Sequence, residues 1–224
     1  MTKRLAFRLL CLCLSWIPAS PASAGSEEAP EQRPDVKEVL SRLEDRISGV
    51  QTLKADFIQE KHLVVLEEPL VLKGTIFMQT PDHFSWIVRE PLRYSMVIRG
   101  EVVHQWDEDT QRIQKMSLSK NPVFKTAIRQ MRDWLSGAYG SMLGEYEVTV
   151  LDREPISLEF VPRDTALARE VIDRVMVVFD RDEHYIRQIQ ILEKRGDRTV
   201  LTFVNTLLNS PIAPSAWKVK QDVQ

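Results

Sequence analysis

The chain has 224 residues, in which 30 Lys and Arg face 32 Asp and Glu, for a net charge of −2 with histidine neutral. Proteins that bind nucleic acid usually carry a basic surplus, so a nucleic-acid partner is disfavoured. The only two cysteines, Cys11 and Cys13, lie close to the amino terminus. A chain that lost them by processing would have no disulfide, cysteine metal site or thiol nucleophile.

The first 24 residues have the pattern of a secretory signal peptide. Three basic residues come first, followed by the apolar run Leu9–Ile17 and the small residues Ala22–Ala24. This order predicts cleavage after Ala24, which leaves 27 basic against 32 acidic residues, a net charge of −5. A retained membrane anchor is disfavoured, because the apolar run is too short to cross a bilayer and is broken by Ser15 and Pro18.

Residues 25–34 are polar, acidic and proline-bearing, which predicts a disordered lead-in to a single domain over residues 35–224. Asp35 and Glu38 have the spacing of a capping box, and Gly49 supplies a stop signal, so an amphipathic helix is expected between them. Its apolar stripe consists of Val36, Val39, Leu40, Leu43 and Ile47.

A second amphipathic helix is predicted from Pro122 to about Ser136. Asn121 is a good N-cap, proline is favoured at the first helical position, and Gly137 follows the last turn. Its apolar stripe consists of Phe124, Ala127, Ile128, Met131 and Leu135. Both stripes need an apolar surface to lie on.

Most of the remaining chain has strand chemistry. Residues Leu70–Asp107 form four short runs of β-branched and aromatic residues, separated by Pro, Gly and Asp, which predicts an antiparallel meander. No βαβ rhythm is present, so the fold class is mainly β (α+β), with about ten or eleven antiparallel strands and two or three helices if Thr165–Glu170 forms a short turn. The other predicted strands are Leu53–Leu66, Gln111–Met116, Tyr146–Leu151, Ile156–Val161, Arg174–Phe179, Tyr185–Leu192 and Thr199–Thr206.

An antiparallel sheet of this size curls, and its inner face needs a cover. Two amphipathic helices are the cover that the sequence offers, and a curled sheet closed imperfectly by two helices leaves an apolar cavity. Such a cavity favours a binding function. Phe84 and Trp86 lie on one face of a predicted strand, and by pattern alone this aromatic face is either plain core or ligand lining.

Catalytic and metal-binding patterns do not emerge from the sequence. The histidines lie far apart, without the spacing of metal ligands, and the pairs Asp107/Asp109 and Asp180/Asp182 fall in predicted turns, where Asp bonds the local backbone. There is no nucleophile elbow, phosphate loop or dinucleotide fingerprint. We therefore predict a protein that is not an enzyme and has no metal or cofactor. The four histidines are His62, His83, His104 and His184.

From Val50 onward the chain resembles the periplasmic outer-membrane lipoprotein carrier family, LolA. The resemblance is clear over residues 36–116 and loose over the later strands, where Asn205 is the best match. The matching residues are Val50–Gln59, Gly74, Pro81, Phe84-x-Trp86, Pro91 and Gly100-Glu101-x-Val103.

The resemblance implies an incomplete antiparallel β-barrel with helices as a lid over an apolar cavity. It implies a monomeric periplasmic carrier that takes acylated lipoproteins, or a related lipid, from an inner-membrane donor protein to an outer-membrane acceptor protein. Well-known members carry an arginine just before the Pro of the Pro-x-x-Phe-x-Trp stretch, which helps to hold the lid closed. Thr80 stands at that position here, so this lid contact cannot be carried over.

The predicted cavity lining combines sheet and helix residues. The alternative function is a lipid sensor or partner-binding regulatory module of the same fold. Related sensors carry a second C-terminal domain, and the end of this sequence at Gln224 favours the carrier. The predicted lining residues are Phe57, Phe84, Trp86, Met96 and Ile98 from the sheet and Leu40, Leu43, Ile128 and Met131 from the helices.

Overall fold

A computed structural model describes residues 35–120, 122–164 and 166–219. The signal peptide and lead-in predicted for residues 1–34 lie outside these ranges, as does the N-cap predicted at Asn121. Within the described ranges, no helix is both long and apolar enough to span a bilayer.

Two α-helices form where the apolar stripes predicted them, α1 at Val36–Ile47 and α2 at Pro122–Ser136. Helix α1 begins at Asp35, whose carboxylate accepts a hydrogen bond from the Lys37 backbone N–H at 2.9 Å. Four short 3₁₀ turns complete the helical content of the described residues: Leu118–Lys120, Tyr139–Gly144, Leu167–Glu170 and Pro214–Trp217. The turn at Leu167–Glu170 falls within the predicted Thr165–Glu170.

Eleven strands make up the rest of the fold, in agreement with the predicted number. Their bounds are β1 Thr52–His62, β2 Leu70–Gln79, β3 His83–Glu90, β4 Tyr94–Arg99, β5 Val102–Asp107, β6 Ile113–Ser117, β7 Tyr146–Arg153, β8 Ile156–Pro162, β9 Ile172–Phe179, β10 Ile186–Glu193 and β11 Arg198–Leu208. The prediction was wrong about the end of β1, which stops at His62 instead of Leu66.

All eleven strands belong to one antiparallel sheet in the order β6-β5-β4-β3-β2-β1-β11-β10-β9-β8-β7. The first and last strands of this order, β6 and β7, are not paired with each other, so the barrel is incomplete, as predicted. The segment that joins these two edges in the chain contains α2. Helix α2 is therefore placed by connectivity to cross from one edge of the sheet to the other.

One face of the sheet carries the main hydrophobic core. Phe84 and Val88 of β3 and Phe57 of β1 are buried in this core. Trp86 of β3 is partly exposed and packs against it. The apolar stripe of α1 packs into the same cluster, and so do Ile128, Met131 and Leu135 of the α2 stripe. We call this the inner face of the sheet.

The opposite, outer face is also covered at β3 and β4, which the sequence did not predict. Ile87 and Val97 are buried there outside the main core, beneath the segment 214–219. Arg99 donates to the Trp217 carbonyl at 3.2 Å, and the His83 and Trp217 rings meet edge to face at 5.4 Å. The two helices are therefore not the only cover of the sheet.

A polar network on the outer face joins the middle strands. Asp56 on β1 accepts hydrogen bonds from the Thr75 hydroxyl at 2.7 Å and from the Asn205 amide at 3.1 Å. The hydrogen bond from Thr75 lowers the pKa of Asp56, although partial burial acts the other way. Asn205 has a positive φ of 53° and lies in β11, beside an irregularity in its pairing with β1. The network ties β1 to both of its neighbours.

Candidate functional site

The structure brings all nine predicted lining residues into the hydrophobic cluster between the inner face and the two helices. Seven are buried, while Trp86 of β3 and Met131 of α2 are partly exposed. That these residues form one cluster is an observation; that they line a cavity for a ligand stays a prediction. The seven buried members are Leu40, Leu43, Phe57, Phe84, Met96, Ile98 and Ile128.

Aromatic rings stack at the centre of the inner face. The ring centroids of Phe57 and Trp86 are 4.1 Å apart at an interplanar angle of 32°, and those of Phe84 and Trp86 are 6.4 Å apart. Gly74 makes this stack possible, because it pairs with Phe57 across β1 and β2 and has no side chain. A Cβ atom on Gly74 would lie 2.7 Å from the Phe57 ring and 2.0 Å from the Ile87 carbonyl oxygen.

Helix α1 is fastened to its surroundings on two sides. Arg42 and Arg46 both contact the Glu183 carboxylate, at 3.1 Å and 3.2 Å. Glu44 accepts a hydrogen bond from the Gly140 backbone N–H in the 3₁₀ turn Tyr139–Gly144. This turn buries Tyr139 and Met142 in the core and so adds to the cover of the inner face, a contribution that the predicted elements did not include.

Polar contacts hold α2 near the start of β7. Arg129 donates to Glu145 at 2.7 Å, and the Gln130 amide donates to the other carboxylate oxygen of Glu145 at 3.0 Å. Burial alone would raise the pKa of Glu145, but these two hydrogen bonds outweigh it and the pKa is lowered. The hydrogen bond with Glu145 also raises the pKa of Arg129, so both groups are favoured in their charged forms.

Two other cationic residues of α2 contact two neighbouring hairpin turns of the sheet. Lys125 pairs with Glu101 in the β4–β5 turn at 2.8 Å, and Arg132 donates to the Pro81 carbonyl in the β2–β3 turn. Thr80 itself bonds the Gln51 carbonyl instead of the helix. Because Thr80 stands where the family has an arginine, we expected no arginine contact between this turn and the helix. The structure has such a contact, but its arginine, Arg132, belongs to the helix and not to the turn.

Replacing Arg132 with alanine is expected to increase opening of α2. One exposed hydrogen bond contributes about 1 kcal/mol, which corresponds to about fivefold in the exchange of α2 amide hydrogens. Hydrogen–deuterium exchange of peptides covering residues 122–136 would measure this. The control is Arg181→Ala, which removes an exposed arginine in the β9–β10 turn. Equal exchange in the wild type and Arg132→Ala would show that the Pro81 contact does not restrain the helix.

Two further features of the described residues have the outline of a site. A groove of about 530 Å³ beside the edge strand β6 is lined by Val102, Lys115, Met116, Ser117 and Lys120, none of which was predicted as lining.

The second feature is a group of possible metal-ligand atoms on Asp180, Asp182 and His184, which lie within 4.8 Å of one another. However, the Asp180 carboxylate accepts hydrogen bonds from the backbone N–H groups of Asp182, His184 and Tyr185. This cluster is therefore built as a turn, as predicted for the Asp180/Asp182 pair.

The hydrophobic cluster also contains two large buried aromatic residues that the predicted lining did not include. Trp134 of α2 is buried beneath the helix, with its ring 6.2 Å from that of Phe160. It lies three residues after Met131, so a wider helical stripe would have included it. Tyr146, at the start of β7, is buried with its ring 6.1 Å from that of Phe160 and carried no comparable signal.

Curated proteins similar to this chain are outer-membrane lipoprotein carrier proteins. That of Hahella chejuensis (strain KCTC 2396) is 25% identical over 182 residues, which cover 80% of this chain and 82% of that protein. That of Helicobacter pylori (strain J99 / ATCC 700824) is 24% identical over 123 residues, which cover 54% of this chain and 65% of that protein. The chain thus spans slightly less than two thirds of the Helicobacter relative.

Solved structures share the fold at low sequence identity. An uncharacterized conserved protein from Thermus thermophilus has a TM-score of 0.51 and 12% identity, over 84% of this chain and 96% of that one. The crystal structure of MucB has a TM-score of 0.50 and 11% identity, over 82% of this chain and 63% of that one. Residues 48–220 match the family described as "Outer membrane lipoprotein carrier protein LolA". This match covers most of the chain, which therefore belongs to the LolA family.

Proposed function

We propose that this protein is a periplasmic carrier that binds the acyl chains of lipoproteins, or of a related lipid, between the inner face of the sheet and helices α1 and α2. The observation that supports the proposal best is the single apolar cluster shared by sheet and helices, in which all nine predicted residues lie. The family match and the lipoprotein carrier relatives support the same class of cargo. Such a function is binding and release, without covalent chemistry.

The free energy of transferring acyl chains explains why a carrier would be needed. Three acyl chains contain about 45 methylene groups, and at ~0.8 kcal/mol for each group their exposure to water would cost ~36 kcal/mol. A protein that covers the chains removes most of this barrier. The cover must also open, and the polar contacts of α2 suit that requirement, because exposed ion pairs such as Lys125–Glu101 stabilise by at most about 1 kcal/mol.

The carrier would receive its cargo from an inner-membrane protein and deliver it to an outer-membrane acceptor, acting as a monomer. The alternative is a lipid sensor or partner-binding module of the cell envelope. MucB, whose fold is similar, has been crystallised in complex with MucA(peri). The two functions differ in what stays bound after purification, since a carrier retains lipid and a partner-binding module retains protein.

Native mass spectrometry of the protein purified gently from periplasm, followed by organic extraction, tests the proposal. The expected result is a mass increment that extracts as a lipid or an acylated peptide, with uptake of a fluorescent fatty acyl probe by the delipidated protein. A lipid-free mass together with failure to take up the probe would contradict the carrier function. Recovery of a stable protein partner without lipid, in a pull-down from the same extract, would support the alternative.

A further inference from the structure

Two buried side chains whose rings contact Phe160 carry hydrogen-bond donors that have no acceptor among the described residues. They are the indole N–H of Trp134, on α2, and the hydroxyl of Tyr146, at the start of β7. The two side chains are 6% and 0% exposed, and each ring contacts Phe160 at a centroid distance close to 6 Å. Both donors therefore belong to the apolar cluster in which we propose that cargo binds.

The neighbouring polar groups do not supply the missing acceptors. A side-chain hydrogen bond with Gln130 lowers the pKa of Tyr146, which makes the Gln130 NH2 group the donor in that contact, as it is to Glu145, so it offers the Tyr146 hydroxyl proton no acceptor. Burial dominates and raises the pKa of Tyr146 to about 12, so the hydroxyl keeps its proton at neutral pH. Tyr139 shows the contrast, because its equally buried hydroxyl donates to the Trp134 carbonyl at 2.8 Å.

A buried donor without an acceptor destabilises a folded protein, and phenylalanine would fill either position without that cost. Retention of two such donors in one apolar cluster is explained if an acceptor arrives with a ligand. Resting on the proposed function, we infer that Trp134 and Tyr146 form a polar subsite that hydrogen-bonds the ester or amide carbonyls joining acyl chains to their head group.

The electrostatics of the subsite favour a neutral acceptor. Charged groups that act on Tyr146 are Arg129 and Glu145, and these two are paired with each other at 2.7 Å. The cation that acts on Tyr146 is therefore already paired, so a phosphate or carboxylate bound at this hydroxyl would enter without a free counter-charge. An ester carbonyl is a strong neutral acceptor on an otherwise apolar molecule, which matches two donors set in an aromatic cluster.

The test compares two probes that differ only in their carbonyl groups. Dioctanoylglycerol carries two ester carbonyls, and its dialkyl ether analogue carries none on chains of equal length. Each competes with a bound fluorescent fatty acyl probe on the delipidated full-length mature protein. We expect the wild type to bind the ester roughly fivefold more tightly than the ether for each hydrogen bond formed.

Variants show whether the preference for ester over ether depends on the Trp134 and Tyr146 donors. Tyr146→Phe removes only the hydroxyl, and Trp134→Phe removes the N–H with part of the ring; each is expected to lower the ratio of ester affinity to ether affinity. Tyr139→Phe is the matched control and should keep the full preference. Equal binding of ester and ether by the wild type, or a preference that survives in the double variant, would overturn the inference while leaving the carrier function intact. If no probe binds, the carrier function fails and the subsite with it.

Thermal unfolding of the ligand-free variants gives a second readout that does not depend on lipid binding. Because the Tyr146 hydroxyl has no acceptor among the described residues, Tyr146→Phe should leave the Tm unchanged or raise it. Tyr139→Phe removes a satisfied hydrogen bond and should lower the Tm. A loss of Tm in Tyr146→Phe as large as that in Tyr139→Phe would show that the hydroxyl already has a partner, and would contradict the subsite.

Discussion

Replacing Trp86 with glutamate is expected to abolish uptake of acyl chains while leaving the protein folded. Trp86 stacks between Phe57 and Phe84 on the inner face, so a carboxylate there would meet any chain lying against the sheet. Leaving that carboxylate desolvated costs about 3 kcal/mol or more, a loss of roughly a hundredfold in affinity. Because Trp86 is partly exposed in the free protein, the charge can remain hydrated there and the fold should persist.

Titration with a fluorescent fatty acyl probe measures this loss, and urea unfolding checks that the variant is folded. Trp106→Glu is the matched control, because Trp106 is also partly exposed but pairs with Ser95 and so lies on the outer face. Its affinity for the probe should be close to wild type. Unchanged uptake by a folded Trp86→Glu protein would show that the inner aromatic face is filled core and does not contact cargo.

Replacing Gly74 with alanine is expected to destabilise the protein strongly, although the change adds a single methyl group. The new Cβ would lie 2.0 Å from the Ile87 backbone oxygen, so β2 and β3 would have to separate. It would also lie 2.7 Å from the Phe57 ring and displace that ring from Trp86. Overpacking of this kind costs about 3 kcal/mol, which would lower the urea midpoint by more than about 1 M.

Gly49→Ala provides the control, because a Cβ atom on Gly49 would meet nothing within 4 Å. Its urea midpoint should stay within the change expected from about 0.5 kcal/mol, which is typical of surface positions. A Gly74→Ala protein as stable as the wild type would mean that the strands yield easily at this point. The tight approach of β2 to β3 would then not be what positions the aromatic stack.

Local sequence patterns predicted the elements whose signals are local. Helix α1 was expected between Asp35 and Gly49 and occupies Val36–Ile47, because the cap and the apolar stripe lie within the segment itself. The end of β1 was predicted wrongly because residues 63–66 have the composition of a strand. In the structure His62 pairs with Arg198, the first residue of β11, so the residues after His62 have no strand residue opposite them, and the Val64 N–H donates to the Asp197 side chain at 2.9 Å instead. A strand needs a partner as well as a composition.

The candidate site likewise combines residues that local patterns predicted with long-range contacts that they did not. The nine apolar residues predicted from alternation and helical periodicity lie in one cluster, because each pattern shows which side chains share a face, and their role as a ligand lining stays a prediction. The contact of Arg132 with Pro81 joins residues 51 positions apart, and the cover of the outer face by residues 214–219 comes from the far end of the described chain. Neither contact has a local signature.

The sequence by itself determined the antiparallel class of the fold, the two amphipathic helices and the apolar character of the inner face, since periodicity and turn residues act within a few positions of the chain. Only the tertiary structure decided which buried polar groups have a hydrogen-bond partner. Tyr139 and Tyr146 are both buried tyrosines, yet one hydroxyl donates to a carbonyl and the other meets no acceptor among the described residues. This difference depends on the packing of α2 against β7 and β8, which no local pattern records.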